Sequence, residues 1–216
     1  MRTLKILVVV PSGGHWVADF ATSLISLTMH FANTPVKGYD AHELRVMNIK
    51  GSILPKARLQ GVKAAKQIEA THLLFLDSDH TFQPDLLHRL LKAEKDVVAA
   101  NCVTKSIPAA PTARAKGLDS QGVSVYTAPD SVGLQQVWRI GTGVMLLSRK
   151  AFEQIPHDAF EMPYKVEADT YQGEDWTMCE ALEKAGVPLY IDHGVSRTVG
   201  HVGMMNYTHD LVGEMR

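Results

Sequence analysis

Apolar runs alternate with helical repeats of apolar residues through the first half of the chain. Residues 4–10 and 72–76 are almost entirely apolar, a pattern typical of strands buried on both faces of a parallel sheet. Residues 43–49 and 96–100 predict two further strands. Between the strands, apolar residues recur three or four positions apart, which predicts amphipathic helices. The resulting order, β-α-β-α-β-α-β, predicts an α/β protein with a mostly parallel central sheet flanked by helices.

The pattern becomes irregular after Cys102. Residues 106–133 are rich in Pro, Ala, Gly and Ser, and contain one predicted strand, residues 123–127. The elements predicted after this stretch are short strands over 137–140 and 144–147, a helix over 149–155, a loop over 156–173, a helix that begins at Gly173 and a strand over 189–192.

Composition excludes several classes of protein. The 216 residues include 22 Lys and Arg against 23 Asp and Glu, and a net charge of −1 gives no general attraction to nucleic acid or to a membrane surface. Cys102 and Cys179 match no zinc or redox spacing. No apolar run reaches the length of a membrane span or forms a signal peptide. We therefore expect a soluble cytoplasmic protein without an integral membrane segment.

Two acids follow the buried strand over residues 72–76. In open α/β sheets, ligands bind at the carboxyl ends of the strands, which is where Asp77 and Asp79 are expected. Two neighbouring carboxylates repel each other, and burial adds to the cost of ionising them. A divalent metal that carries a phosphate ligand would remove this cost. The alternative is a pair of acids that only caps the turn before a helix at Pro84.

A second acidic pair and a late histidine could complete such a site. Glu174 and Asp175 open a predicted helix, where acids are favoured by the helix dipole alone, but one carboxylate could also act as a general base. His201 lies in a Gly-His-Val-Gly segment, and imidazole with carboxylates suits Mn²⁺. A lone histidine is more often structural. His80 and His193 are rival ligands in less favourable contexts.

Basic residues near the predicted strand ends could contact phosphates. Lys56 and Arg58 precede or open a helix, and Lys105 follows a strand, although each could equally be a solvated surface charge. The loop after the first strand lacks the Gly-Lys-Ser/Thr ending of a P-loop. Gly141-Thr142-Gly143 lacks the third glycine of a dinucleotide fingerprint.

The ordered set of motifs resembles the GT-A-fold glycosyltransferases, the nucleotide-diphospho-sugar transferases, and in particular short, single-domain members of the family 2-like group. The motifs that carry the resemblance are residues 8–11, 55–58, 73–79 with the Asp-x-Asp, 96–100, 141–147, 173–176 and 200–203. The resemblance implies one GT-A-like domain over residues 1–216. Residues 1–105 would form its nucleotide-binding half and residues 106–216 its acceptor-binding and catalytic half.

The resemblance also implies roles for individual residues. The donor would be a nucleotide-sugar, most often a UDP-sugar, and the cofactor Mn²⁺ or Mg²⁺. Residues expected to contact the donor are Pro11, Ser12, Arg58, Asp77 and Lys105. Residues expected to bind the metal are Asp79, Asp77 and His201. The catalytic base would come from Glu174 and Asp175, with Asp175 favoured.

We therefore expect a metal-dependent glycosyltransferase that moves a sugar from a nucleotide-sugar to an acceptor hydroxyl, with inversion and with Asp175 as the base. The acceptor remains open among a saccharide, a protein side chain and a modified nucleobase. One alternative is a nucleotidyltransferase that makes a nucleotide-sugar, although residues 11–16 lack its Gly-rich, Arg-containing loop. Another alternative is a non-catalytic module that binds nucleotide-sugars. The sequence does not predict the oligomeric state.

Overall fold

The structure of the protein, a computed structural model, describes residues 2–119, 121–166, 169–203 and 205–212. Its strands are β1 (Thr3–Ser12), β2 (Ala41–Lys50), β3 (His72–Leu76), β4 (His80–Thr81), β5 (Val97–Ala99), β6 (Arg114–Ala115), β7 (Val123–Ser124), β8 (Leu134–Val137), β9 (Val144–Ser148), β10 (Tyr164–Lys165), β11 (Thr170–Tyr171), β12 (Leu189–Asp192), β13 (Gly200–Val202) and β14 (Asn206–Tyr207). Its helices are α1 (Ala18–Asn33), α2 (Leu54–Gln67), α3 (Leu86–Lys92), α4 (Arg149–Glu153), α5 (Glu174–Lys184), α6 (His193–Ser196) and a short 3₁₀ helix (His209–Leu211). Within these ranges, no helix has the length and hydropathy needed to cross a membrane.

Seven strands form the central sheet in the order β2-β1-β3-β9-β5-β12-β8. Strand β1 pairs in parallel with β2 and β3, and β12 pairs in parallel with β5. Strand β9 lies between β3 and β5 and runs antiparallel to both, so β3 and β5 point the same way. Strand β8 runs antiparallel to β12 at the far edge. The predicted α/β architecture with a mostly parallel sheet is confirmed.

The apolar runs of the central strands pack against two separate hydrophobic clusters. In β1, Leu7 and Val9 face a cluster that includes buried residues of α2, α4 and α5. Ile6 and Val8 face the opposite cluster, which includes α1 and α3. Alternate side chains of a strand point to opposite faces of its sheet. Because helices cover both faces, a central strand must be apolar at nearly every position.

The irregular stretches differ in detail from the prediction. Residues 156–173 were expected to be a loop, but contain the antiparallel pair β10 and β11. The strand predicted over 137–140 lies earlier, as β8, because the backbone after Val137 turns to hydrogen-bond Arg114 instead. The Trp138 N–H donates to the Arg114 carbonyl at 2.7 Å, and the Arg114 N–H donates to the Arg139 carbonyl at 2.8 Å.

Candidate active site

The Asp77-Ser78-Asp79 segment forms the turn between β3 and β4, at the carboxyl end of a central strand. Backbone hydrogen bonds fix both ends of this turn. The Asp77 N–H donates to the Gly143 carbonyl at 2.8 Å, and the Val202 N–H donates to the Asp79 carbonyl at 2.7 Å. The turn is therefore held by segments that follow β8 and α6 in the chain. The two carboxylates stand at the sheet edge that the sequence predicted.

Strand pairing brings two histidines to Asp79. Strands β4 and β13 are antiparallel, with His80 directly opposite His201. Their rings stack with centroids 4.2 Å apart and planes at 13°. The His201 Nδ1 lies 2.7 Å from the Val103 carbonyl oxygen, and its Nε2 lies 3.5 Å from Asp79 Oδ1. A neutral His201 that donates from Nδ1 to this carbonyl keeps the Nε2 lone pair free for a metal, an arrangement common in metal sites.

Two glycines permit this close approach. A Cβ added at Gly200 would lie 2.6 Å from the Thr81 Oγ1, so a side chain there would separate β13 from β4. A Cβ added at Gly143 would lie 2.7 Å from His80 Cε1 and 3.3 Å from Asp77 Oδ2. Real Cβ contacts this short are essentially absent, so any larger residue would displace the His80 ring. Both glycines belong to segments that the sequence singled out.

The chemistry of the cluster fits a divalent transition metal. Donor atoms of Asp79, His80 and His201 all lie within 4.8 Å of one another. His80 is 2% exposed, its Nδ1 lies 3.3 Å from Asp79 Oδ1, and its Nε2 has no hydrogen-bond partner within the described residues. A buried polar group without a partner carries a substantial free-energy penalty, which a metal ligand would remove. One carboxylate with two imidazoles suits Mn²⁺ better than Mg²⁺, which prefers oxygen ligands.

Asp79 is strongly stabilised as a carboxylate. Burial alone would raise its pKa, but contacts with His201, His80 and Lys105 hold the pKa well below its usual range. The Lys105 Nζ lies 2.5 Å from Asp79 Oδ2. Asp79 is therefore ionised at any physiological pH, which is the state that binds a metal. The predicted donor contact Lys105 thus lies directly beside the cluster.

Asp77 has a different partner. Arg58, which is 1% exposed, reaches from α2 with its Nη2 2.8 Å from Asp77 Oδ1 and its Nε 3.4 Å from Glu174 Oε1. Its guanidinium carbon also lies 5.3 Å from the centroid of the Phe75 ring. Arg58 therefore shares its single positive charge between two acids that belong to separate sequence motifs. Asp77 lies outside the Asp79, His80 and His201 cluster, and its role as a metal ligand stays a prediction.

Asp175 lies in the first turn of α5, beside Glu174. Burial, followed by the nearby Glu174 carboxylate, raises the pKa of Asp175 from 3.8 to about 6. Its Oδ1 accepts a hydrogen bond from the Trp176 N–H at 2.8 Å. A carboxyl group with a pKa near neutrality is well suited to accept a proton from a substrate and release it later.

Asp175 borders two cavities. The smaller cavity, of about 170 Å³, is lined by Arg58, Asp77, His80, His201, Glu174 and Asp175, among others. The larger cavity, of about 590 Å³, is lined by Asp175, Trp176, Trp138, Tyr171 and Glu180, among others. Asp175 thus lies between a space lined by charged and imidazole side chains and a space whose lining includes three aromatic rings.

Other predicted residues lie apart from this centre. Pro11 and Ser12 end β1 and are not in the lining of either cavity. The Ser12 hydroxyl donates to Asn48 Oδ1 at 2.8 Å, and the Trp16 Nε1–H donates to the same oxygen at 3.3 Å. His193 is not in the cluster, because its ring nitrogens bond Thr127 and Gln135 on a different part of the sheet.

Two residues of the site carry weaker sequence signals than its acids do. His80 was ranked behind His201, although its position directly after the Asp-x-Asp was a usable signal. Trp138 is missing from the predicted site because it lies within the strand predicted over residues 137–140, where a tryptophan is usually a core residue. Its place in the cavity wall depends on contacts with α5, which only the tertiary structure reveals.

Comparisons with known proteins support the architecture. No protein-family model matches the chain, and no curated protein matches it either. Solved structures do match. A197 from STIV has a TM-score of 0.57 at 17% identity, with 94% of this chain and 86% of that chain covered. GalNAc-T7, crystallised with UDP, GalNAc and Mn²⁺, has a TM-score of 0.57 at 12% identity, with 93% of this chain covered. The present chain spans 43% of the GalNAc-T7 chain.

A third match is the catalytic domain of Drosophila beta1,4galactosyltransferase 7 in complex with xylobiose. Its TM-score is 0.52 at 15% identity, and the alignment covers 93% of this chain and 71% of that chain. At such low identity the likeness concerns the fold, not the activity. The mostly parallel sheet, the helices on both faces and these neighbours together show that the chain has the GT-A fold.

Proposed function

We propose that the protein is a metal-dependent glycosyltransferase that moves a sugar from a nucleotide-sugar to an acceptor hydroxyl. UDP-sugars are the donors favoured by the proposal. The observation that carries this proposal is the position of Asp175, which lines both the smaller cavity and the larger cavity. A transferase needs a donor space and an acceptor space that meet at the reacting atoms. A base at that junction can reach an acceptor hydroxyl while the donor lies on its other side.

In this proposal the smaller cavity receives the donor diphosphate. Asp79, His80 and His201 would hold a divalent metal, with Mn²⁺ favoured by the two imidazoles. When bound, the metal would act as a Lewis acid that offsets the negative charge of the departing nucleoside diphosphate. Lys105, now paired with Asp79, would add positive charge at the same place. Crystals of the GalNAc-T7 neighbour with UDP and Mn²⁺ support this class of donor and cofactor.

Asp175 would act as the general base. The acceptor oxygen forms a bond to the anomeric carbon while its proton moves to the Asp175 carboxylate. The bond between that carbon and the diphosphate oxygen breaks, and the nucleoside diphosphate leaves with the electron pair. Attack from the side opposite the leaving group inverts the anomeric configuration. Arg58 would be a positioning residue that takes no part in the reaction, because it pairs with Glu174 beside Asp175 and with Asp77 at the turn.

A panel of UDP-sugars with Mn²⁺ tests the proposal without knowledge of the acceptor. Binding of the correct donor should raise the melting temperature, because a ligand that binds only the folded state stabilises it. Slow hydrolysis of the donor should accompany binding. The Asp79→Ala variant should lose the Mn²⁺-dependent shift, whereas Asp130→Ala, which removes an exposed aspartate outside both cavities, should keep it.

Three results would contradict parts of the proposal. Full Mn²⁺-dependent activity in Asp79→Ala would remove the metal assignment. Retention of the anomeric configuration, read by NMR of the product, would remove Asp175 from the role of base. Release of pyrophosphate from a nucleoside triphosphate would replace the transferase with a nucleotidyltransferase.

A further inference from the structure

The larger cavity adjoins a second groove at Trp138. This distal groove has a volume of about 470 Å³ and is lined by Lys116, Gln136, Trp138, Glu183 and residues 186–189, among others. Lys116 and Trp138 also line the larger cavity, so the two spaces adjoin at these side chains, and together they are called the extended cleft, with Asp175 in the wall of the larger cavity. Each volume lies within the roughly 300–1,000 Å³ typical of ligand sites.

Trp138 is held in place at the centre of this extended cleft. Its Nε1–H donates to Glu183 Oε2 at 2.9 Å, and the Arg139 guanidinium carbon lies 4.0 Å from its ring centroid. A Cβ added at Gly122 would lie 3.1 Å from the Trp138 ring, so the backbone packs closely against its edge. A ring fixed by three neighbours loses little freedom when a ligand stacks on it, which favours binding.

Trp176 extends the aromatic wall to the proposed base. It follows Asp175 directly in α5, and its ring centroid lies 6.3 Å from that of Trp138, with the planes at 55°. This distance is too short for a ligand to fit between the rings, so they form adjoining surfaces and not a clamp. Tyr171, 63% exposed, adds a third ring. A ligand that leaves Asp175 therefore passes along successive aromatic surfaces.

The charges of the cleft favour a neutral ligand. The lining of the larger cavity carries two lysines, Lys116 and Lys165, against three carboxyl groups. In the distal groove, Lys116 Nζ lies 3.2 Å from Glu183 Oε1, so these charges offset each other. A nucleic-acid acceptor would require an excess of positive charge. Such an excess is absent from the described lining of the cleft.

We propose that the acceptor is a neutral oligosaccharide of two or more sugar units, with the reacting hydroxyl at Asp175 and the remaining units along Trp176, Trp138 and the distal groove. This inference rests on the proposed function. Sugar rings present C–H faces that pack on aromatic rings and hydroxyl edges that need polar partners. The cleft supplies the partners as carboxyl, amide and ammonium groups, including Glu180, Gln172 and Gln136.

A length series of acceptors tests the inference. Neutral gluco-, xylo-, galacto- and chito-oligosaccharides of one to four units are compared as acceptors, with the donor found by the UDP-sugar panel and with neutral Ser/Thr peptides alongside. For the preferred series, kcat/KM should rise by roughly tenfold or more from one unit to three, as expected when a stacking contact is gained. A flat length dependence, or better transfer to the peptides, would overturn the inference.

Substitutions in the cleft test which side chains cause the dependence of kcat/KM on acceptor length. Trp138→Ala should remove most of the gain with length, and Trp138→Phe should keep part of it because a ring remains. The double variant Lys116→Ala, Gln136→Ala changes only exposed side chains, so it should fold, and it should raise the KM of the longer acceptors. Tyr39→Ala, beside Arg2 at the amino ends of β1 and β2, is the control for loss of an aromatic ring and should keep the length dependence. An unaltered length dependence in both cleft variants would refute the path along Trp138.

Failure of this inference can be separated from failure of the proposed function. Mn²⁺-dependent donor binding and slow donor hydrolysis by the wild-type protein are measured before any acceptor is added. If both are absent, the glycosyltransferase proposal fails. If both are present but no saccharide accepts the sugar, the oligosaccharide inference alone is refuted.

Discussion

The Asp175→Asn substitution removes a carboxylate that the fold holds in an unfavourable environment. The rise of its pKa from 3.8 to about 6 is caused first by burial and then by Glu174. At about 1.4 kcal/mol per pKa unit, ionised Asp175 lowers the free energy of unfolding by up to about 3 kcal/mol. Asparagine has nearly the same shape, and its Oδ1 can accept the Trp176 N–H as Asp175 does. We expect the variant to be about 1–3 kcal/mol more stable than the wild type near pH 7.5.

The stability difference should depend on pH with a defined sign. The folded protein keeps a proton on Asp175 up to about pH 6, whereas in the unfolded chain the carboxyl group loses it near its usual pKa of 3.8. Between these values the folded state binds more protons, so wild-type stability falls as the pH rises from about 4 to about 6 and is constant above. Asparagine does not titrate. The increase in the free energy of unfolding of Asp175→Asn over the wild type should therefore be near zero at about pH 4 and complete above about pH 6.

Urea denaturation at about pH 4.5 and pH 7.5 measures this difference, which corresponds to a rise in melting temperature of about 2–10 °C at the higher pH. Asp130→Asn, at an exposed aspartate, should change the free energy of unfolding by less than about 0.5 kcal/mol at either pH. A destabilised Asp175→Asn protein, or a gain of equal size at both pH values, would refute the reasoning.

The same substitution should abolish transfer. Loss of a general base typically lowers the rate by about 10²- to 10⁴-fold, so kcat should fall by that amount while donor binding persists. Since the base must be ionised to accept a proton, wild-type activity should also fall as the pH drops below about 6. A variant that is more stable and inactive, yet still binds the donor, would identify Asp175 as a functional residue that lowers the stability of the folded protein.

Two further substitutions test the surroundings of the cluster. Arg58→Met should lower the free energy of unfolding by about 3–5 kcal/mol, because it leaves Asp77 without its buried counter-charge. Urea denaturation measures this loss, and the double variant Arg58→Met, Asp77→Asn should recover part of it. Gly143→Ala should weaken Mn²⁺ binding by about 10- to 100-fold in calorimetry, because the added methyl displaces His80. Gly51→Ala, where the added methyl meets open space, should bind Mn²⁺ normally, and equal affinities in the two alanine variants would contradict this role of His80.

The central strands were predictable because their burial leaves a local signature. Residues 4–10 and 72–76 are apolar at almost every position since helices cover both faces of the sheet. The insertion of β9 between β3 and β5 has no such signature, because a buried strand is equally apolar whether it runs parallel or antiparallel to its neighbours. Direction in a sheet depends on the path of the preceding chain. That path, over residues 106–133, is the part of the sequence with the weakest periodicity.

The candidate site was predictable in its residue types and not in its pairings. Asp77 and Asp79 are indistinguishable by local context, yet one meets the buried Arg58 and the other meets Lys105 and two histidines. Apart from His80, these partners come from distant segments, so the pairing of β4 with β13 and the position of α2 are what separate the two acids.

This separation matters for the proposed chemistry. Because Asp77 pairs with Arg58 and lies outside the cluster, a divalent metal bound by Asp79, His80 and His201 would meet one anionic ligand and two neutral ones. The ion would then keep net positive charge to attract a diphosphate. A second free carboxylate in the cluster would cancel that charge and weaken the binding of the donor diphosphate to the metal. In the proposed function, the pairing of Asp77 with the buried Arg58 would let a turn with two acids accept an anionic donor, with Asp79 as the acid that binds the metal.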